Sequence, residues 1–277
     1  MPPLPPIQGL WVEGPLTAME QLSLRSFLAN GHPYHLYSYD EVPNLPAGAE
    51  LRPAAEVLPA SAVFRYSDAA GGSVAAFSNL FRYRLLHQRG GWWADTDVVC
   101  LRPFDFAAER VFAAERGRQG EVLYTSCVLK VPTGDELCAD CCERARRDAD
   151  RATVWGATGP ALLGRVVRER ALDACVQPPE AFCPVDWWRA ADLLGPVELP
   201  AAAFAVHLWH EIWRWNGWSK DPCYPPQALY QQLHARYPEP AAAAAPGPPA
   251  GFPARRRRGR RGRPARPADG STEQRSL

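Results

Sequence analysis

Asp95 and Asp97 place two carboxylates two residues apart, directly after the aromatic run Trp92-Trp93 and Ala94. Along extended backbone, side chains two apart point to the same side. At the end of a strand such a pair suits one hard divalent cation with oxygen ligands, and it leaves positions for the phosphates of a nucleotide. A bare D-x-D string is common, so its setting matters. Residues 77–97, FSNLFRYRLLHQRGGWWADTD, read as a helix, a double-glycine stop, a short aromatic strand and then the acidic pair. The chemistry implied is a metal-dependent reaction on a nucleotide-linked substrate. A bridging cation there offsets charge growing on a departing diphosphate. Manganese or magnesium suits two carboxylates plus phosphate oxygens. Asp95 and Asp97 are the candidate catalytic and metal-binding residues.

The elements around them supply further candidates. In the helix before the glycines, Phe77, Leu80, Phe81 and Leu85 form an apolar stripe that should face a sheet, with Ser78, Asn79 and Arg82 on an adjacent face. Arg82 is either a surface arginine or, at the C-terminal edge of a sheet where open α/β folds bind ligands, a phosphate or ribose contact. His207 and His210 flank Leu208-Trp209 after a late strand. Either is ordinarily a satisfied, partly buried histidine, and one of them is placed to complete a cation's shell. Trp209, Trp213, Trp215 and Trp218 read equally as core or as platforms for sugar faces. Thr158-Gly159-Pro160 reads as a loop entering a helix, or as the wall of an acceptor pocket.

Further along the chain, Ile7–Val12 is expected to be a strand, Leu16 to Phe27 a helix stopped by Asn30-Gly31, and Tyr34–Tyr39 a second strand. That order is a βαβ opening with parallel strands. Pro43, Pro46 and Gly48 mark a loop, Ala54–Leu58 a short helical turn, and Gly71-Gly72 precede a helix over Ser73–Gln88. Val98–Leu101 continues extended to Arg102-Pro103. Strands are expected over Val122–Val131 and Phe204–Leu208, with helices over Glu136–Ala149, Pro160–Arg170 and Pro225–Tyr237. The class is α/β: a Rossmann-like sheet flanked by helices.

The 277 residues, 47% apolar and 22% charged, suffice for one large α/β domain. A single domain is expected over residues 1–237. Residues 238–277 are Ala/Pro-rich and then carry RRRRGRRGR, a composition that cannot bury a core and is expected to be disordered. From Ala254 to Leu277 nine arginines face Asp269 and Glu273. The tail has no amphipathic pattern or interleaved aromatics, so no nucleic-acid partner is expected. A solvated extension is the expected role, with peripheral contact with an anionic membrane the alternative its charge allows. No apolar run approaches the ~20 residues of a membrane span, and MPPLPPIQGLWVEG has no basic region or leader-length apolar stretch, so a cytoplasmic protein is expected. The eight cysteines are scattered, as for reduced thiols. Cys138, Cys141 and Cys142 lack a second paired element and are not expected to hold zinc.

From Ile7 to about Tyr237 the chain resembles the D-x-D glycosyltransferases of the group named for its sugar-binding region, with the GT-A fold. Relatives include capsular polysaccharide, α-galactosyl and α-mannosyl transferases and the large clostridial toxins. Their core reads SDLxRYxxLxxxGGxYxDxD. Here it is Ser78-Asn79-Leu80-Phe81-Arg82-Tyr83, then Gly90-Gly91-Trp92-Trp93-Ala94-Asp95-Thr96-Asp97. The resemblance implies a metal-dependent transfer of sugar from a nucleoside-diphosphate sugar (UDP- or GDP-linked) to a hydroxyl of a glycan, glycolipid or protein. Polysaccharide or glycolipid synthesis and retention, giving an α-linked product, are implied with it. It assigns Asp95 and Asp97 to metal and donor, and Ser78, Asn79, Arg82 and Gly91 to the donor side. The H-x-W element at His207 and Trp209 makes His207 the third metal ligand. Gly159-Pro160 matches the group's Gly-Pro pair, and Trp11 sits where relatives contact the base. Two positions depart from the pattern. The helix aspartate is Asn79, which leaves the identity of the sugar open, and Trp93 replaces a tyrosine.

Two other readings compete. Asp95 to Val99 also fits the D-x-D-x-(T/V) string of haloacid-dehalogenase-like phosphatases, with Gly134-Asp135 and Asp140 as a second acidic element. Those enzymes carry the motif on a first strand and a lysine well upstream of the second cluster, whereas Lys130 lies close to Gly134. The other is a sugar- or nucleotide-binding module without turnover.

Overall fold

The computed structural model describes residues 3–66, 72–148 and 155–239. Gly71 and the expected disordered tail from residue 240 onward lie outside the described residues.

The chain opens with β1 (Ile7–Trp11), α1 (Ala18–Ala29) and β2 (Tyr34–Ser38), then β3 (Ala49–Pro53) and a 3₁₀ turn over Ala54–Glu56. Helix α2 (Ala75–Arg89) leads to β4 (Gly91–Ala94), β5 (Val98–Cys100), β6 (Val111–Arg116) and β7 (Val122–Val131). Then come α3 (Glu136–Asp148), α4 (Pro160–Glu169), α5 (Pro179–Phe182), β8 (Ala205–His207), α6 (His210–Asn216) and α7 (Leu229–Arg236).

Six strands form one mixed sheet in the order β3-β2-β1-β4-β7-β6, and β5 and β8 form a separate antiparallel pair. β1 runs parallel to β2 and β4, and β2 to β3, whereas β7 is antiparallel to both β4 and β6. The expected βαβ opening is present.

Two apolar layers cover the sheet. One packs α1, α5, α7 and the β5–β8 pair, with Phe27, Phe104, Phe182 and Trp213 buried in it. The other packs α2, α3 and α4, with Phe77, Phe81, Leu137 and Leu163. The stripe expected on α2 is in this second layer. Trp92 and Trp93 divide between the two layers because neighbours on a strand face opposite ways. Trp92 meets Phe104 at 5.1 Å between ring centroids, and Trp93 meets Phe81 at 6.4 Å.

The double glycine stops α2 by backbone shape. Gly90 has φ 62°, and a Cβ there would lie 2.4 Å from the Thr133 amide nitrogen. Only glycine joins α2 to β4 so tightly.

Two strands are not apparent in the sequence. β3 is a short edge strand ending in proline, a composition that reads as loop. β6, VFAAER, has the local preference of a helix and is extended because it pairs with β7. The last helix is shorter than expected: Pro225-Pro226 form a turn closed by Ala228 N–H to Pro225 O at 2.9 Å, and α7 starts at Leu229. No helix among the described residues is long and apolar enough to cross a membrane.

Candidate active site

β4 delivers Asp95 to the C-terminal edge of the sheet, where its amide still bonds Cys127 O of β7 at 2.8 Å. The chain then turns, with Val98 N–H donating to Asp95 O at 3.0 Å. The two carboxylates therefore converge through a tight turn, not through the alternation of a continuing strand. This corrects the extended reading of the motif. The turn sends β5 out of the sheet to pair with β8, placing Val98 opposite His207.

Asp95 is held from α2. Its Oδ1 accepts from Arg82 Nη2 at 2.7 Å and from the Trp93 indole at 2.8 Å. Arg82 is buried, donates through Nη1 to Ser126 O at 2.6 Å, and lies 5.0 Å from the Trp93 ring centroid. The surface-arginine reading therefore fails, and Arg82 fixes the first aspartate. Ser78 Oγ lies 3.3 Å from Arg82 Nη2. Asn79 donates to Thr158 Oγ1 at 3.2 Å and accepts from Ser126 Oγ at 3.4 Å. A Cβ at Gly159 would stand 2.8 Å from the Asn79 amide nitrogen, so Gly159 lets α4's leading loop close onto α2.

Asp97 is held from the other side. Its Oδ2 accepts the His210 backbone amide at 2.8 Å and lies 3.2 Å from His207 Nε2. Between them Trp209 is left-handed (φ 60°), which costs a non-glycine residue roughly 1–2 kcal/mol. The indole Nε1 of Trp209 anchors this turn to Val185 O at 2.9 Å. The two histidines thereby separate. His207 faces the aspartates, and the His210 ring turns away to Glu20 Oε1 at 3.2 Å and Lys220 Nζ at 3.1 Å.

Ligand atoms of Asp95, Asp97 and His207 all lie within 4.8 Å of one another. Two carboxylates and an imidazole are a donor set suited to Mn²⁺ or Mg²⁺. The electrostatics fit the same use. Burial, reinforced by Asp97, pushes the Asp95 carboxyl up to about 6 against the pull of Arg82. Burial acts the same way on Asp97, but His207 and the His210 amide prevail and hold it well below the usual carboxylate range. Burial disfavours a charged imidazole, yet Asp97 holds His207 well above the ordinary histidine value.

The triad borders a cavity of about 840 Å³, reached also by Trp11, Ser78, Asn79, Arg82, Trp155 and Trp215. Gly91 does not line it. That residue lies at the opposite end of β4 from Asp95, where φ of 83° completes the turn out of α2, so its expected contact with the donor is corrected to a backbone role. The tryptophans divide: Trp213 is buried against Tyr230 at 4.6 Å, Trp218 packs on Trp213 at 5.9 Å, and Trp209 closes the cavity beside His207. Trp215 (50% exposed) and Trp155 (41%) form an edge-on pair at its rim.

Glu115 of β6, Ser126 and Trp155 belong to the site without having been apparent in the sequence. Burial, with Cys127 nearby, pushes the Glu115 carboxyl up to about 7 against its bond to Thr125. Recognising VFAAER as extended would have placed Ala113 and Glu115 on one face.

The competing motifs have structural explanations. Asp135 caps α3 through the amides of Leu137 (3.0 Å) and Cys138 (3.2 Å) and pairs with Arg110 at 2.7 Å. Lys130 is taken by the carbonyls of Phe106 and Ala108. Neither serves a phosphatase site. Cys138 and Cys141 are packed in the core between α2 and α3, as expected of an ordinary helix face.

Residues 55–115 match the family described as glycosyltransferase sugar-binding region containing DXD motif. Comparison with curated proteins gives no match. Among solved structures the chain is similar to PaToxG glycosyltransferase (12% identity, 61% of this chain and 71% of that one, TM-score 0.45). It is also similar to the UDP-bound glycosyltransferase domain from the YGT toxin (10% identity, 68% and 84%, TM-score 0.44). The matched segment takes in α2, the D-x-D turn and β6 as far as Glu115, and it is the DXD-containing glycosyltransferases that this chain resembles.

Proposed function

We propose that this chain transfers a sugar from a nucleoside-diphosphate sugar to an acceptor hydroxyl, with Asp95, Asp97 and His207 holding Mn²⁺ or Mg²⁺. The observation that carries this reading is the convergence of those three side chains beside the cavity. When bound, the cation supplies positive charge for the diphosphate as it departs.

The chain's own residues position the reaction. Arg82 and the Trp93 indole keep Asp95 in one orientation, and the His210 amide does the same for Asp97. Such fixed groups need no rearrangement as charge develops. Ser78 and Asn79 offer hydroxyl and amide groups to the donor's sugar, and Trp11 an aromatic face to its base. Trp155 and Trp215 at the rim suit the acceptor, because tryptophan faces stack on sugars. Glu115 lines the same cavity, and burial raises its carboxyl towards neutrality, which suits it to accept the hydroxyl's proton. Attack from the face the diphosphate leaves, with retention and an α-linked product, is the stereochemistry the resemblance supports. A glycan, glycolipid or protein acceptor fits the open, aromatic rim, and a role in polysaccharide or glycolipid synthesis follows from the same likeness.

The test offers the purified chain UDP- and GDP-sugars with Mn²⁺ and follows nucleotide release. Release from at least one donor that stops on chelation and falls sharply in Asp97→Asn is expected. Binding of donors with no cation-dependent release would replace transfer by a binding function.

A further inference from the structure

Beside the D-x-D turn lies a second group of metal-binding side chains that the proposed transfer does not use. Cys127 of β7 and Cys183, directly after α5, bring their sulfurs to 3.6 Å. A ring nitrogen of His207 joins them, with all three ligand atoms within 4.8 Å of one another. Two sulfurs bound tetrahedrally to zinc at about 2.3 Å lie roughly 3.8 Å apart, close to the spacing already present. All three residues are buried, and His207 Nδ1 makes no hydrogen bond of normal geometry, its imidazole meeting only the Cys127 thiol on this side. A buried ring nitrogen without such a bond is uncommon and calls for a ligand or a neighbour.

We infer that Cys127, Cys183 and His207 form a site for a soft divalent cation of the zinc type. Thiolates select such an ion over Mn²⁺ or Mg²⁺, which prefer the oxygens of Asp95 and Asp97. Both groups include His207. The zinc site does not rest on the reading of the D-x-D turn given above. The thiols are closed to solvent, and His207 is the one of the three that lines the cavity.

The experiment titrates the reduced chain with Zn²⁺ against a chromophoric chelator. One ion per chain is expected. Cys127→Ser and Cys183→Ser should each weaken it on the order of 100-fold or more, at least the loss seen when an outer-shell partner is removed. Cys223→Ser, which alters an exposed thiol, should keep the site. Zinc affinity unchanged in Cys127→Ser and Cys183→Ser, or lost in Cys223→Ser, would overturn the inference. If the serine variants at 127 and 183 do not fold, Co²⁺ replaces Zn²⁺ in the Cys223→Ser chain. Near-ultraviolet thiolate-to-cobalt absorption supports the site, and its absence refutes it. Because the readout is zinc or cobalt binding, it stands even if no nucleotide sugar is ever cleaved.

Discussion

The two aspartates of the D-x-D turn are held by unlike parts of the molecule. Asp95 is fixed by Arg82 and Trp93, both from the segment that leads into the turn. Asp97 is fixed by His207 and the His210 amide, more than a hundred residues further on. The α2 side is a buried guanidinium sandwiched between a carboxylate, a carbonyl and an indole face. The β8 side is a chain of polar contacts that passes from Asp97 through His210 to Glu20 and Lys220, tying α6 to the start of α1. The first arrangement protects one carboxylate by local packing. The second depends on β5 pairing with β8 and on α1 meeting α6, so it reports on the assembly of the whole domain.

Cutting the α2 side should have the largest effect. Arg82→Met leaves the Asp95 carboxylate and the Ser126 carbonyl without their partner, and because Asp95 keeps 24% of its side chain exposed the cost should sit near the low end for a broken buried pair, about 3 kcal/mol. Chemical denaturation should show that loss, and Arg82→Lys should recover little because one ammonium cannot match the guanidinium's fork. On the other side, Asp97→Asn keeps the shape and removes a charge. Cation-dependent nucleotide release should fall on the order of 100- to 1,000-fold, the scale seen when one fixed electrostatic group is removed, with the melting temperature changed much less.

The next test reaches the far end of the β8 side. Glu20 is fully buried, accepts the Thr17 amide at 2.8 Å and faces His210 and Lys220. Burial alone would raise its carboxyl, but these partners lower it from 4.5 to about 2. A depressed carboxylate adds stability above its unfolded value and loses it as pH falls towards its folded value. Stability should therefore decline as pH drops from 4.5 towards about 2, and Glu20→Gln should flatten that decline. At neutral pH the substitution should cost about 1–3 kcal/mol by denaturation, the penalty of an imperfectly satisfied buried polar group. The smallest effect belongs to the rim. Trp215→Ala should leave stability within about 0.5 kcal/mol, as for exposed positions. It should raise the KM for acceptor severalfold with little change in kcat.

The same contrast explains what could be read before the fold was known. The α2 side was legible because helix, glycines, strand and acids are contiguous, and their order constrains their geometry. His207 and His210 are both candidates from the sequence, and only likeness to relatives chooses His207, since strand pairing and not spacing brings it opposite Val98. Glu115 was hidden because VFAAER takes its extended form from β7, a tertiary cause that local preference does not show. The turn at Asp95–Val98 was likewise misread as strand, because a Thr between two acids next to Val-Val looks extended. Gly91 was drawn into the site by motif alone, although its constraint is the backbone shape at the end of α2.

One cation should be held by Asp95, Asp97 and His207, with His210 outside its shell. Mn²⁺ titration followed by electron paramagnetic resonance tests it most directly, in the wild-type chain, His207→Ala and His210→Ala. His207 must give up its proton to bind, and Asp97 holds that proton tightly, so wild-type affinity should rise with pH. At fixed pH, His207→Ala should weaken Mn²⁺ on the order of 10- to 100-fold or more. His210→Ala keeps the backbone amide and should bind nearly as the wild type does. Mn²⁺ bound as tightly by His207→Ala as by the wild type, or lost only in His210→Ala, would contradict the account.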